Sequence, residues 1–585
     1  MSSTTEAPFS KASDVLWNVV GRRKWVFRDA FFATLIINTL ALATALFTMQ
    51  VYDRVIPHTG FETLLVLGAG VMLALLFDLI LKQVRSHMMD REGTQIDIEL
   101  SDWFFRRAQG VRMEARPPSL GTLAAQLKGL EYLRGVFGSS SIFVVVDVPF
   151  AFFFIGVIAY LAGPLAIVPL VLVPVALLVG ILSQRRVSKA IAANQGHQNE
   201  KAGMLVEAID GVENIKATGN DAAIAGAWQE LLDKAGADDD RIKAASALSS
   251  NVTATLQQIS YVLLIAFGAV LAVRGELSMG ALIACAIISQ RALSPIARFP
   301  SVLVQWEHAR AALRNLDQLL SLPNEQDEHD RNLAPEVLDN SLKLDRVRFA
   351  YGDNDHLAID IPKLEIAPGE RVAIVGAIGS GKSTLLKVAS GLFRPREGHV
   401  YLGGLDVAHI RTDCLRQRIA YLPQDLRLTH GTLRQNLLRG ISDPGDEAIL
   451  EAARKTGLID LINGHPLGLA LPITEGGRGI SGGQRQLIGI TRLLLVDPGV
   501  LLLDEPSAAM DATTEARVIQ LLKSMGEQGR TIVVSTHKGT LLPLVDRVVV
   551  FANGRIVTDG PRQQVMAELA RKRSQGVSTE ERKAV

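Results

Sequence analysis

The stretch Gly376-Ala377-Ile378-Gly379-Ser380-Gly381-Lys382-Ser383-Thr384 decides how the second half of this chain folds. It fits the phosphate-binding pattern G-x-x-x-x-G-K-[ST] at every position. Arg371–Val375 before it is a short β-branched apolar run that predicts a buried strand, and Leu385–Ser390 after it begins a helix. In that setting Gly376, Gly379 and Gly381 let the backbone wrap closely around phosphates, whose charge is met by amide N–H groups and the helix N-terminus. Lys382 is expected at the β/γ-phosphates, and the Ser383 hydroxyl on magnesium. Ala377, Ser380 and Thr384 complete the expected nucleotide-binding stretch. The loop by itself leaves open a glycine-rich turn with a chance lysine; the acids downstream argue against that.

The chain has 585 residues, enough for several domains, and 48% of them are apolar. The apolar residues concentrate before residue 300, in runs of roughly 20 residues, the length that spans a bilayer. A net charge of +1 gives no basic excess pointing to nucleic acid. Cys285 and Cys414, far apart, offer neither a disulfide framework nor metal-ligand spacing. No cleavable signal peptide is visible, because the first apolar run begins near Ala30 and is too long for an h-region.

Six spans are expected, near 30–50, 61–83, 141–161, 163–183, 255–274 and 277–294, the third and fourth separated only by Ala162-Gly163-Pro164. Arg22, Arg23, Lys24 and Arg28 precede the first. Lys82 and Arg85 follow the second, Arg185, Arg186 and Lys189 the fourth, and Arg291 and Arg298 the sixth. By the positive-inside rule the N-terminus, two long loops and everything after the sixth span face the cytoplasm. Residues 1–29, with Trp17, Trp25 and Phe27 among charges, predict a short leader helix along the membrane surface. The loops 84–140 and 184–254 predict helical extensions of the spans, broken at Arg116–Gly121 and Gly211–Gly219, where short transverse helices are expected. Asp78 and Asp147 lie inside apolar spans, where an ionisable group is costly and often functional. The resulting domains are a leader at 1–29, a transmembrane domain at 30–320, a linker at 321–340, a nucleotide-binding domain at 341–568 and a charged tail at 569–585.

In the second half, Val500-Leu-Leu-Leu-Asp-Glu-Pro506 reads as a buried strand delivering carboxylates to its C-terminal edge. Asp504 is expected to hold magnesium and Glu505 to polarise the attacking water as general base. His537, after the strand Thr531–Ser535, is placed to contact the γ-phosphate; a histidine at a strand end is by itself more often structural, and the other motifs in order favour the functional role.

Between these motifs lies Ile480-Ser481-Gly482-Gly483-Gln484-Arg485-Gln486. It resembles the signature motif of ATP-binding cassette (ABC) transporters, with Ile where Leu is usual, and the likeness covers about residues 340–568. It implies that Tyr351 stacks on adenine, that Gln424 in Tyr421-Leu-Pro-Gln424 senses magnesium, and that Asp511 in Ser507–Asp511 communicates across a dimer. It further implies that Ser481, Gly482, Gly483 and Gln484 of one subunit close on ATP held by the other. With one set of spans and one cassette, the chain is expected to be half a transporter completed as a C2 homodimer, with ATP and Mg2+ as cofactors. The fold class is a six-helix transmembrane domain, similar to type I ABC exporters, plus an α/β P-loop NTPase domain.

Phe47–Pro57, Arg112–Pro117 and Asp147–Phe150 resemble bacterial type I secretion exporters, particularly those serving large repeat-rich adhesins or RTX-type proteins. The resemblance implies export of an unfolded polypeptide across the bacterial inner membrane with a periplasmic membrane-fusion adaptor and an outer-membrane channel. An N-terminal peptidase-like domain, common in such relatives, is not expected in the 29 residues before the first span. Two rival readings stay open: a half-size exporter of lipids or small amphiphiles, and a membrane-bound ATP-binding regulator that transports nothing.

Overall fold

The computed structural model of the protein describes residues 9–117, 120–137, 139–325, 333–352 and 356–581. Of the expected segments, residues 1–8 of the leader, 118–119 of the first loop break, 326–332 of the linker and 582–585 of the tail lie outside the described residues. The chain forms two compact units, Met1–Val111 with Pro117–Pro323, and Arg112–Arg116 with Asn324–Val585.

The first unit is helical: α1 (Ala12–Gly21), α2 (Lys24–Leu40), α3 (Leu42–Gln50), α4 (Ile56–His58), α5 (Phe61–Gln109), α6 (Leu120–Lys128), α7 (Leu130–Phe137), α8 (Ser139–Ala162), α9 (Ile167–Asp210), α10 (Val212–Thr218), α11 (Asp221–Val273) and α12 (Met279–Ser321). Among the described residues, five stretches are long and apolar enough to cross a membrane. The third, Val146–Asp210, contains two helices, α8 and α9, which reverse at the 3-10 turn Gly163–Ala166, where Gly163 takes φ +50°. Six helical segments therefore stand where six spans were expected. The long loops are helical extensions, and α10 forms the second expected short helix. A 3-10 turn, Met113–Ala115, precedes the first break, and the short helix α6 begins within it at Leu120.

The apolar stripe of α1 (Ala12, Val15, Leu16, Val19, Val20) is buried against α5 and α12, while Trp17 and Trp25 stay exposed. Polar contacts hold it there. Asp317 accepts from the Ala12 N–H at 2.7 Å, and Arg23 bridges Glu92 at 3.2 Å and Glu99 at 2.9 Å. Both aspartates of the spans are paired inside the bundle. Lys82 donates to Asp78 at 2.6 Å and Asn38 to Asp147 at 3.0 Å, while the buried Arg85 donates to Thr34 at 2.7 Å. The ion pair at Asp78 and the hydrogen bonds at Asp147 and Arg85 offset part of the cost of charge in an apolar region.

Where Val51–Val55 widens into a π-helical turn, Asp53 is aimed at the head of α12. Its carboxylate accepts from the Gly280 N–H at 2.9 Å and the Ser278 hydroxyl at 2.7 Å, a favourable place for an anion. Gly280 is what permits the approach, since a Cβ there would stand 2.4 Å from the Met49 carbonyl oxygen.

The second unit is α/β. Its strands are β1 (Leu342–Phe349), β2 (Ile359–Ile366), β3 (Arg371–Val375), β4 (Glu397–Leu402), β5 (Leu405–Asp406), β6 (Ile419–Leu422), β7 (Gly431–Thr432), β8 (Pro472–Ile473), β9 (Val500–Asp504), β10 (Thr531–Thr536), β11 (Arg547–Ala552) and β12 (Arg555–Pro561). Its helices are α13 (Lys382–Ala389), α14 (Thr412–Arg418), α15 (Leu433–Leu437), α16 (Asp446–Thr456), α17 (Ile459–Asn463), α18 (Gly482–Val496), α19 (Ala512–Glu527) and α20 (Arg562–Glu581). An antiparallel sheet, β2-β1-β4-β5, accompanies a six-stranded sheet, β12-β11-β3-β10-β9-β6, that is parallel except for β12. The parallel strands are nearly all apolar because helices cover both faces. Register sets the site. Val375, the last residue of β3, lies level with Thr536, and Asp504 lies level with Ser535.

Gly280→Ala is expected to cost about 1–3 kcal/mol by overpacking the Asp53 contact. The check is the thermal unfolding midpoint of the full chain, which should fall, while Gly70→Ala, with open space at its Cβ, should leave it unchanged or higher.

Candidate active site

The phosphate loop is seated by contacts that only glycine allows. A Cβ on Gly376 would stand 2.1 Å from the Phe551 carbonyl oxygen of β11. Gly381, at φ +102°, would press one to 2.7 Å from the Ala358 carbonyl. Lys382 is buried, and its ammonium donates to the Gly376 and Ala377 carbonyl oxygens, each at 2.9 Å. Its charge is thereby held against the inside of the loop. The Ser380 hydroxyl is buried with no hydrogen-bond partner. A buried orphan hydroxyl beside a captive ammonium fits a ligand rich in anionic oxygens.

An open cleft of about 1010 Å³ runs past the loop, lined by Tyr351, Ile378–Thr384, Gln424, Glu505, His537 and the turn Ala552–Val557. Ser383 lines it beside Lys382. Tyr351 leans edge-on against Phe349 and Phe393, with ring centroids 5.1 and 5.7 Å away, and its hydroxyl shares a hydrogen bond with Thr384 Oγ1 at 2.8 Å.

At the end of β9 the two acids separate in role. Asp504 is 2% exposed, and its Oδ1 accepts from the Ser535 hydroxyl at 2.8 Å. The Tyr421 phenol lies 3.5 Å from Oδ2, and burial together with the Asp504 charge pushes its pKa up, so it stays a donor. Glu505 takes φ +48°, a conformation worth about 1–3 kcal/mol of strain for a non-glycine residue. Its N–H donates to the Ser535 carbonyl at 3.0 Å, which helps hold that turn and faces its side chain into the cleft. There Oε1 meets His537 Nδ1 at 2.9 Å and Oε2 meets Gln424 Nε2 at 3.3 Å. A carboxylate only accepts, so Nδ1 carries the hydrogen and Nε2 is the nitrogen left for a ligand.

The structure thus brings Tyr351, the loop, Gln424, Asp504, Glu505 and His537 to one place. It does not bring the signature residues there. Ser481 caps α18 in a capping box, its hydroxyl accepting from the Gln484 N–H at 3.2 Å while the Gln484 side chain accepts from the Ser481 N–H at 3.0 Å. Gly482 and Gly483 pack on Ala509, where a Cβ on Gly483 would reach 2.8 Å from the Ala509 carbonyl. None of the four lines the cleft of its own chain. Asp511 caps α19. Hydrogen bonds from the Thr514 N–H and hydroxyl and from the Thr513 N–H hold its carboxyl below the usual range.

Three contributors escaped sequence reasoning. Ser535 and Tyr421 anchor Asp504, but a serine inside a strand and a tyrosine before Pro-Gln carry no local signal of a partner 31 and 83 residues away. The Asn553-Gly554 turn between β11 and β12 lines the cleft, and the Gly554 N–H donates to the Ser380 carbonyl at 3.0 Å. Asn-Gly between apolar runs is a hairpin signal that was available.

Comparison with known proteins agrees with this geometry. Residues 29–294 match the ABC transporter transmembrane region, and residues 359–508 match the ABC transporter family. A solved structure of a bacterial Atm1-family ABC exporter with ATP bound superposes with a TM-score of 0.80 at 20% identity, covering 93% of this chain and 96% of that one. Together these define an ABC exporter, a helical transmembrane domain joined to an ATP-binding ABC ATPase that is coupled to transport, within a multi-pass membrane protein. The fold class expected from sequence is borne out.

Among its relatives are the leukotoxin translocation ATP-binding protein LktB of Mannheimia haemolytica, 28% identical over 555 residues, and the toxin RTX-III translocation ATP-binding protein of Actinobacillus pleuropneumoniae, 27% identical. Each alignment covers 94% of this chain and 77% of the relative. The chain is a distant relative of these RTX toxin translocation proteins.

Ser535→Ala removes a hydrogen bond to a buried carboxylate, worth about 1.5–3 kcal/mol. Steady-state ATP turnover of the purified chain is expected to fall about tenfold or more, with thermal stability tracked in parallel to separate chemistry from folding.

Proposed function

We propose that this exporter moves an unfolded polypeptide, of the large repeat-rich adhesin or RTX class, out of the cytoplasm as the ABC component of a type I secretion system. The observation that carries the reading is likeness to toxin translocation proteins along 94% of the chain, membrane half included. Phe47–Pro57, with Asp53 clasping the head of α12, lies in that half. The partners are a periplasmic membrane-fusion adaptor and an outer-membrane channel. The protein sits in the bacterial inner membrane, with the N-terminus and the unit at 341–568 cytoplasmic.

ABC exporters function as dimers; this chain pairs as a C2 homodimer. The signature residues Ser481–Gln484, absent from their own cleft, face the ATP of the other subunit, and Asp511 reports across the same interface. Within one site Lys382 and the loop amides hold the β/γ-phosphates, and the Tyr351 ring carries the adenine. Glu505 takes the proton of the attacking water, held by His537 and Gln424. Ser383, Gln424 and Asp504 would hold magnesium, which when bound neutralises charge on the phosphate oxygens. Asp504 suits this, since Ser535 and Tyr421 fix its carboxylate before any ligand arrives. Closure on ATP and opening after hydrolysis bias the spans between inward and outward access.

Glu505→Gln should cut ATP turnover at least about 100-fold, the usual worth of a general base, while nucleotide binding persists. EDTA should likewise stop turnover of the intact protein. In cells, one large protein should vanish from the medium both when the chain is absent and when it carries Glu505→Gln. An unchanged medium, with purified ATPase stimulated by lipids or small amphiphiles, would replace polypeptide export by lipid export.

A further inference from the structure

A buried glutamine joins the signature helix to the base that attacks ATP. Gln486 lies on the first turns of α18, two residues beyond the signature Gln484, and is 3% exposed. Its side-chain amide donates to the Pro423 carbonyl at 3.2 Å and to the Gln424 carbonyl at 2.6 Å. Both acceptors are backbone groups of the loop after β6. Gln424 in turn reaches Glu505 Oε2 at 3.3 Å, and Glu505 Oε1 meets His537. Gln486, Gln424 and Glu505 therefore form one line from α18 to the catalytic carboxylate, with His537 on its far side.

The geometry points to Gln486 as a positioning residue for hydrolysis: it pins the backbone at Pro423–Gln424 so that the Gln424 amide can orient Glu505. The inference rests on the reading of Glu505 as general base. The side-chain Oε1 of Gln486, also buried, has no hydrogen-bond partner. A glutamine kept only to satisfy local polarity has no reason to leave its own acceptor bare, whereas one selected as a two-pronged donor does. Pro423 has no N–H to donate, so its carbonyl and that of Gln424 are the backbone groups by which Gln486 holds this segment. The capping box at Ser481–Gln484 makes the first turn of α18 rigid. A shift of that helix when its end meets nucleotide is thus carried to Gln424 of the same chain.

The test is a double-mutant cycle on the purified full chain in lipid nanodiscs, comparing intact protein, Gln486→Met, Gln424→Ala and the double variant. Turnover, KM for ATP and equilibrium nucleotide binding are read for each. Gln486→Met should lower kcat about tenfold through its coupling to Gln424, with nucleotide binding within about twofold of intact protein. The double variant should be no slower than Gln424→Ala alone. If the two losses multiply, if kcat is unchanged, or if binding falls instead of kcat, Gln486 is a packing residue and the inference fails. Should Gln486→Met not fold, Gln486→Glu keeps the shape while replacing the donor by an acceptor, and the same cycle decides. Glu505→Gln runs alongside. If it retains intact turnover, the base assignment itself falls, whatever the cycle shows.

Discussion

Everything chemical in this protein hangs on the parallel register of β3, β10 and β9. Because Val375 is level with Thr536, and Ser535 with Asp504, three strands end at one edge and release a phosphate loop, a histidine and a pair of acids within reach of each other. A slip of one residue would turn every side chain of a strand to the opposite face. It would also put Ser535 out of reach of Asp504. The apolar filling of these strands serves that alignment: with both faces buried, the register is held by packing on two sides.

The same edge shows how tightly backbone and chemistry are coupled. Gly376 lies against the Phe551 carbonyl, Gly381 against Ala358, and Gly554 ties the β11–β12 turn to Ser380. The phosphate loop is therefore clamped from two neighbouring segments and presents its amides in a preset shape. Preset donors cost no reorganisation when charge arrives, which is where such sites gain their advantage. The left-handed turn at Glu505 belongs to the same economy, its strain held by the hydrogen bond to Ser535.

The helical unit obeys a different constraint. Its exposed apolar residues, such as Leu65, Val66 and Met72, need lipid, while three charged groups of its spans take hydrogen-bond partners within the unit: Asp78 from Lys82, Asp147 from Asn38, and Arg85 with Thr34. The π-helical turn that re-aims Asp53 at the head of α12 shows that the Phe47–Pro57 stretch is a joint between two spans.

Much of this was legible in the sequence, because the motifs depend on local chemistry. A glycine-rich loop after a β-branched run and an apolar run ending in Asp-Glu each state their structure within a few residues. The hydropathy runs likewise state six helical segments, since spanning length is a property of composition. What the tertiary structure alone decided are the pairings across long separations. Ser535 and Tyr421 on Asp504, Gln486 on the backbone of Gln424, and the covering of α1 by α5 and α12 depend on which elements become neighbours. No periodicity encodes those contacts, for a single serine or glutamine gains its meaning only from the partner that folding brings to it.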